Sequence, residues 1–155
     1  MSALLNGDLA GGSALAGVQL SDYFISDRAK GLWRRRVNQI AEDPSAEPWV
    51  ARAAISAEIG YAVGYAGFHG PPDEVGMVEI GYTVVPESRR QGYAKAMLGS
   101  LIQFARDEPS VRVVRLTISP DNEASLATMA GFGFEHKGEQ WDDEDGLELI
   151  YEIPA

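Results

Sequence analysis

The chain has 155 residues, 45% of them hydrophobic and 23% charged, with a formal net charge of −10 at pH 7. That size fits one ordinary domain, residues 1–155, and that acidity disfavours nucleic acid as a main partner; it would attract cationic partners such as amines, though plain solubility is the simpler reading of the charge. The lack of cysteine excludes a disulfide framework, a thiolate metal site and a cysteine nucleophile, and with no long apolar run and no basic leader a cytoplasmic protein without a membrane partner is expected.

Residues 8–18 read as a short helix broken by Gly11 and Gly12. Residues 22–40 read as one helix, with Phe24, Ala29, Leu32, Trp33, Val37 and Ile40 near helical spacing, stopped by Glu42-Asp43-Pro44. Residues 49–57 and 58–68 read as two strands rich in Val, Ile, Ala and Tyr, followed by turn chemistry at Gly70-Pro71-Pro72-Asp73. Residues 77–85 form the clearest strand: Val78, Ile80, Tyr82 and Val84 share one face, Glu79, Gly81 and Thr83 the other, and Pro86 ends the ladder. A helix follows, because Ala94, Met97, Leu98, Leu101, Ile102 and Ala105 make one apolar stripe. Residues 111–118 are the next strand. Residues 121–130 are a short helix with Gly131 as its expected cap. Residues 132–137 and 147–153 close the chain as strands around the acidic turn 141–146. Strand, helix and strand in succession make a right-handed crossover, so 77–85 and 111–118 should be parallel neighbours while the remaining strands pair as hairpins.

The segment joining that strand to the striped helix is Pro86-Glu87-Ser88-Arg89-Arg90-Gln91-Gly92-Tyr93-Ala94-Lys95. A helix start offers unpaired N–H groups and a partial positive charge. Cations there are poorly placed for helix stability, and an anionic ligand would reverse that cost. Gly92 lets a ligand approach the backbone closely, and Ala94 keeps the first turn small. The segment matches neither GxxxxGK[ST] nor GxGxxG. Read as bare physics, it is either an anion site or a tight turn with solvated arginines.

Arg89-x-x-Gly92-x-Ala94, set after a strand ending Tyr82-Thr83-Val84-Val85-Pro86, resembles the Q/R-x-x-G-x-G/A signature of the GNAT N-acetyltransferases. Downstream, Asn122-Glu123-Ala124-Ser125 and then Gly133-Phe134 resemble the next motif of that family. The order of elements is similar over residues 49–153, and the details look most like the branch that acetylates N-termini of ribosomal proteins. The resemblance implies an α/β (α+β) fold: a mixed, mostly antiparallel central sheet of six to seven strands, helices on both faces, and one parallel, splayed strand pair. It implies acetyl-coenzyme A as co-substrate and an amine acceptor, either a small molecule or a protein N-terminus. No metal is expected, and the chain is read as a monomer or, through an edge strand, a homodimer.

By the same resemblance, backbone N–H groups of Arg89, Arg90, Gln91, Gly92, Tyr93, Ala94 and Lys95 hold the pyrophosphate. Thr83, Val84 and Val85 pair with the pantetheine arm, a bulge near them splays the strands, and Asn122 reaches the arm. A backbone N–H near Val84 supports the developing oxyanion. The implied reaction is direct attack of a neutral amine on the thioester. An amine of pKa about 10.4 is neutral about one part in 2,500 at pH 7, one of pKa about 8 about one part in ten, so a base matters more for the first. Glu79 is the candidate base, beside small Gly81 and Thr83; its alternative is a surface glutamate or a structural ion pair. Many relatives protonate the leaving thiolate with a tyrosine seven residues after the asparagine, where this chain has Met129. Ser125 is the candidate substitute, or else a hydroxyl that packs the helix. Met129 also keeps open a degenerate relative that binds coenzyme A as a sensor or scaffold.

His69 and His136 have no partner at metal spacing, and His69 is a reserve base. The acidic turn after Trp141 either attracts a cationic acceptor or is simply solvated. Tyr23 and Phe24 lie in the opening helices, where this fold shapes the acceptor pocket.

Overall fold

The computed structural model describes all 155 residues. Its helices are α1 (Ser2–Leu5), α2 (Leu9–Ala16), α3 (Asp27–Glu42), α4 (Tyr93–Asp107) and α5 (Glu123–Met129). Its strands are β1 (Arg52–Ile55), β2 (Ala62–Phe68), β3 (Met77–Val84), β4 (Val113–Ile118), β5 (Glu135–Asp142) and β6 (Gly146–Pro154). They form one six-stranded sheet in the order β1-β2-β3-β4-β6-β5. The pair β3–β4 is parallel, and β1–β2, β4–β6 and β5–β6 are antiparallel. Val85 N–H donates to the Val63 carbonyl and His69 N–H to the Glu79 carbonyl, so residue numbers rise along β3 as they fall along β2, an antiparallel register. This is the mixed, mostly antiparallel sheet expected from the sequence. No helix is long and apolar enough to cross a membrane.

Two compact units make up the chain. The first comprises residues 1–67 and 82–93. Its core is Leu4, Leu20, Phe24, Ala29, Trp33, Ala51, Ala62, Tyr65 and Val85. The helix expected over 22–40 is divided here. Asp22–Ile25 is a 3-10 turn, and Ser26, extended at φ −63° and ψ 159°, caps α3 by accepting from Ala29 N–H. The Ser26 hydroxyl also donates to the Tyr23 carbonyl, so one serine ends the first element and starts the second. The strand expected from 58 begins only at Ala62, because Gly60 N–H bonds to the Ser56 carbonyl and Ser56 N–H to the Tyr61 carbonyl, closing a turn.

The second unit comprises residues 68–81 and 94–155. Met97, Leu98, Ile102 and Ala105 are the buried stripe of α4. Along β4, Val114, Leu116 and Ile118 are buried while Val113, Arg115 and Thr117 are half-buried on the opposite face. The parallel ladder with β3 runs over three residues, from Met77 opposite Val113 to Glu79 opposite Arg115. It stops there although both strands continue. Gly131 does not cap α5. The chain leaves through Ala130 in right-handed geometry, and the left-handed glycine is Gly133, at φ 80°. The acidic reversal is also tighter than expected. Trp141 and Asp142 belong to β5, and the Asp142 carboxylate accepts from Glu144 and Asp145 N–H.

Candidate active site

Two groups of residues make up the candidate site. The first is the turn that leads into α4. After Val85 comes a 3-10 turn, Pro86–Ser88, with Ser88 buried. Arg90 then takes φ 62° and Gly92 φ 85°. Positive φ at Arg90 and Gly92, on either side of Gln91, is the alternation from which a backbone nest that suits an anion is built. The first N–H groups of α4 extend it, since they have no intrahelical acceptor. No acidic residue occupies the first turn of α4. A Cβ on Gly92 would meet nothing within 4 Å, so the mouth of the nest is open. The left-handed conformation costs a non-glycine residue about 1–2 kcal/mol, so Arg90 holds strain that the turn sustains.

The side chains of this turn brace it. Arg89 Nε donates to the Val84 carbonyl at 3.2 Å, and Gln91 Nε2 donates to the Glu87 carbonyl at 3.0 Å. Arg89, Arg90 and Lys95 are all exposed, and of the two arginines only Arg89 is tied to the backbone of the turn. Lys95 leans over Gly131, where an added Cβ would lie 3.7 Å from its Nζ. Val85 spends its N–H on Val63, so by strand alternation Val84 directs its own N–H and carbonyl to the other edge, away from β2. Of the three residues expected to meet a pantetheine arm, Val84 turns its backbone groups away from β2, whereas Val85 has its N–H engaged by Val63. The Thr83 side chain is hydrogen-bonded to Tyr65.

The second group surrounds Glu79. Thr117 Oγ1 donates to Glu79 Oε1 at 2.7 Å, and His69 Nδ1 lies 3.2 Å from the same oxygen. Arg115 bonds Glu152 Oε1 through Nε at 2.9 Å and Nη2 at 2.6 Å. Burial pushes the Glu79 pKa up, but the hydrogen bond and charge of His69, the Thr117 hydroxyl and the Arg115 charge outweigh it, and the carboxyl is held below its usual range. Glu79→Gln should therefore cost about 1 kcal/mol at pH 7 and less at pH 3. A depressed carboxylate adds stability that is fully present above its unfolded pKa, about 4.3, and is lost as pH falls through the lower folded value. Denaturant unfolding of both proteins at the two pH values measures this, and an equal deficit at each would remove the charge from the account.

On α5, the Asn122 side chain accepts from Ser125 N–H at 3.1 Å, so Asn122 is first of all a helix cap. Ser125 is half-buried, and Met129 is buried at 9% exposure, a packing residue where a tyrosine acid would stand. No group of three or more His, Cys, Asp or Glu side chains is placed to hold a metal ion.

A family model described as an acetyltransferase (GNAT) domain matches residues 21–135. The chain belongs to the GNAT family. It is 36% identical over 97 residues to the uncharacterized N-acetyltransferase YjdG of Bacillus subtilis, a match covering 61% of this chain and 56% of that protein. The chain spans about half the length of the curated relatives it matches. Among solved structures it is similar to the ribosomal-protein-S5-alanine acetyltransferase from Vibrio fischeri, with a TM-score of 0.65, 15% identity, and coverage of 88% of this chain and 76% of that one. It is also similar to the microcin C7 self-immunity acetyltransferase MccE in complex with acetyl-CoA and AMP, with a TM-score of 0.66, 16% identity, and coverage of 98% and 83%. At these identities the likeness to solved structures is one of fold.

Within this GNAT chain the structure brings Glu79 to His69, Thr117 and the charge of Arg115. Sequence reasoning named Glu79, kept His69 apart from it, and missed Thr117 and Arg115. The signal was available in part. Arg115 and Thr117 alternate on one face of a strand expected to run parallel to that of Glu79, and only the register was missing.

Proposed function

We propose that this GNAT chain transfers the acetyl group of acetyl-coenzyme A to a primary amine. The observation that carries the reading is the nest: left-handed Arg90 and Gly92 opening onto the start of α4, with no acid in its first turn. Backbone N–H groups from Arg89 to Lys95 hold the pyrophosphate. Arg89, tied to Val84, keeps the turn closed on itself, and the outward N–H of Val84 meets the thioester end, where it supports charge developing on the carbonyl oxygen. Asn122 retains its amide N–H donors for the pantetheine arm while its oxygen caps α5. The bound coenzyme supplies the activated acetyl group. The chain supplies grip, orientation and a path for the proton of the amine.

The acceptor is a protein N-terminus or a small amine, drawn in by the acidic surface. With this reading go a single domain over the whole chain, a cytoplasmic setting, and a monomer or homodimer. A second reading is favoured by one observation: Met129, buried at 9% exposure, offers no proton to the leaving thiolate. It makes the chain a coenzyme A-binding sensor or scaffold. Unassisted departure of a thiol of pKa about 8.5 costs only about 2 kcal/mol at pH 7, so the enzyme remains the better reading.

Acetyl-coenzyme A at about 100 times its Kd should raise Tm by about 5–10 °C, while ATP at equal concentration should not. Thiol release should then depend on an added amine, tested with peptides beginning in alanine or serine and with spermidine. A shift without amine-dependent thiol selects the sensor. No shift ends both readings.

A further inference from the structure

The nest and the motif residues leave one cluster without an assigned division of labour. His69 closes the strand before the Gly70 loop, and its side chain is 49% exposed, whereas that of Glu79 is 18% exposed. Glu79 Oε1 already receives the Thr117 hydroxyl and faces His69 Nδ1. A carboxylate can only accept, so a neutral His69 carries its proton on Nδ1 and its lone pair on Nε2. Nε2 lies over Gly81, where an added Cβ would come within 2.9 Å of it. Gly81 is not left-handed. Its value at this position is the space it leaves for the imidazole.

We propose that His69 Nε2, rather than the Glu79 carboxylate, takes the proton from the attacking amine, and that Glu79, braced by Thr117, is a positioning residue that fixes the imidazole tautomer. The inference rests on the acetyltransferase reading above. Three observations support it. The exposed member of the pair is the imidazole. The carboxylate is held in its ionised form, and its Oε1 is already engaged by Thr117 and His69, which makes it a poor proton acceptor. The pair repeats a general arrangement in which a carboxylate orients a histidine base. In the step, an ammonium acceptor gives one proton to Nε2 and becomes a neutral amine. Its nitrogen lone pair then forms the C–N bond to the acetyl carbon as the C–S bond breaks, with that electron pair leaving on sulfur. The second proton passes from nitrogen to the thiolate, and His69 returns its proton to solvent. The net change is ammonium plus thioester to amide, thiol and one proton.

The test uses the whole chain, acetyl-coenzyme A and the alanine-peptide and spermidine assays. His69→Ala should keep the coenzyme-induced rise in Tm and an unchanged KM for acetyl-coenzyme A, while kcat falls about 100- to 1,000-fold. Added imidazole should restore about tenfold of that loss, which a merely structural role would not allow. Glu79→Gln should lower kcat about tenfold, and the double variant should be no worse than His69→Ala, because the two act as one unit. Gly81→Ala leaves both side chains chemically unchanged, yet its Cβ would meet Nε2, so it should displace the ring and lower kcat in a folded protein. Should His69→Ala keep kcat within threefold of the parent while Glu79→Gln loses 100-fold or more, the roles are reversed and the proposal is wrong, with the acetyltransferase reading intact. Should the parent itself bind coenzyme and release no thiol with either amine, both fall together.

Discussion

Gly92→Glu should weaken binding of coenzyme A by about two orders of magnitude without unfolding the protein. A carboxylate at the start of a helix favours folding, because it complements the positive end of the helix. The variant therefore separates binding from stability: the charge that harms the ligand helps α4. Gly92 sits at φ 85°, where any side chain costs about 1–2 kcal/mol, but an added Cβ there meets nothing within 4 Å, so no clash adds to that cost. A carboxylate about 5 Å from a pyrophosphate charge repels it by about 3 kcal/mol at an effective dielectric of about 20, which is the two orders expected. Gly92→Ala is the control, with the same strain and no charge. It should lose about 1–2 kcal/mol of stability and bind within tenfold of the parent. Arg90→Glu should weaken binding in the same direction, by reversing an exposed cation at the nest. Calorimetric titration with coenzyme A, paired with denaturant unfolding, reads both quantities. If Gly92→Glu and Arg90→Glu bind as the parent does, the pyrophosphate is held elsewhere.

What the sequence disclosed and what it withheld divide along the range of the interaction. Period-two alternation through Val78, Ile80, Tyr82 and Val84 marked β3, and the stripe through Met97, Leu98, Ile102 and Ala105 marked α4, because each pattern is local and faces one core. The crossover rule then made β3 and β4 parallel neighbours. The apolar spacing from Phe24 to Ile40 suits either one helix or two elements, so it hides the break at Ser26, although a serine followed by aspartate is a helix-start signal. Gly131 and Gly133 are equivalent on paper, and only the exit path of α5 decides which must turn left-handed. The Glu79 cluster was least legible. It joins residues 69, 79 and 117, and nothing within ten positions of Glu79 announces Thr117. A one-residue slip of β4 would have placed Leu116, not Thr117, on that face.

Trp33→Ala should cost about 3–5 kcal/mol, the largest single loss expected from the first unit. Trp33 is 1% exposed, its ring lies 5.0 Å edge-on from that of Tyr65, and it stacks beside Phe24 at 6.4 Å. Its indole N–H donates to the Phe24 carbonyl at 2.8 Å. Truncation opens a cavity among aromatic neighbours and leaves a buried carbonyl without its donor, so the packing and hydrogen-bond losses fall together. Trp33→Phe separates them. It keeps a ring in the space and forfeits the N–H, and should cost about 1–2 kcal/mol. Against a total stability of about 5–15 kcal/mol the alanine variant is marginal, and its Tm should fall by about 10–20 °C. The loss reaches the site through one neighbour. Burial of Tyr65 in this cluster pushes its pKa up, and it is hydrogen-bonded to Thr83 on β3, three residues before Pro86, where the turn that carries the nest begins. Below its lowered Tm the variant should therefore bind coenzyme A several-fold more weakly, and Trp33→Phe should bind it normally. A loss below about 1 kcal/mol for Trp33→Ala would mean that the ring is peripheral to the core; normal coenzyme affinity in a destabilised protein would mean that Tyr65 does not transmit core packing to Thr83.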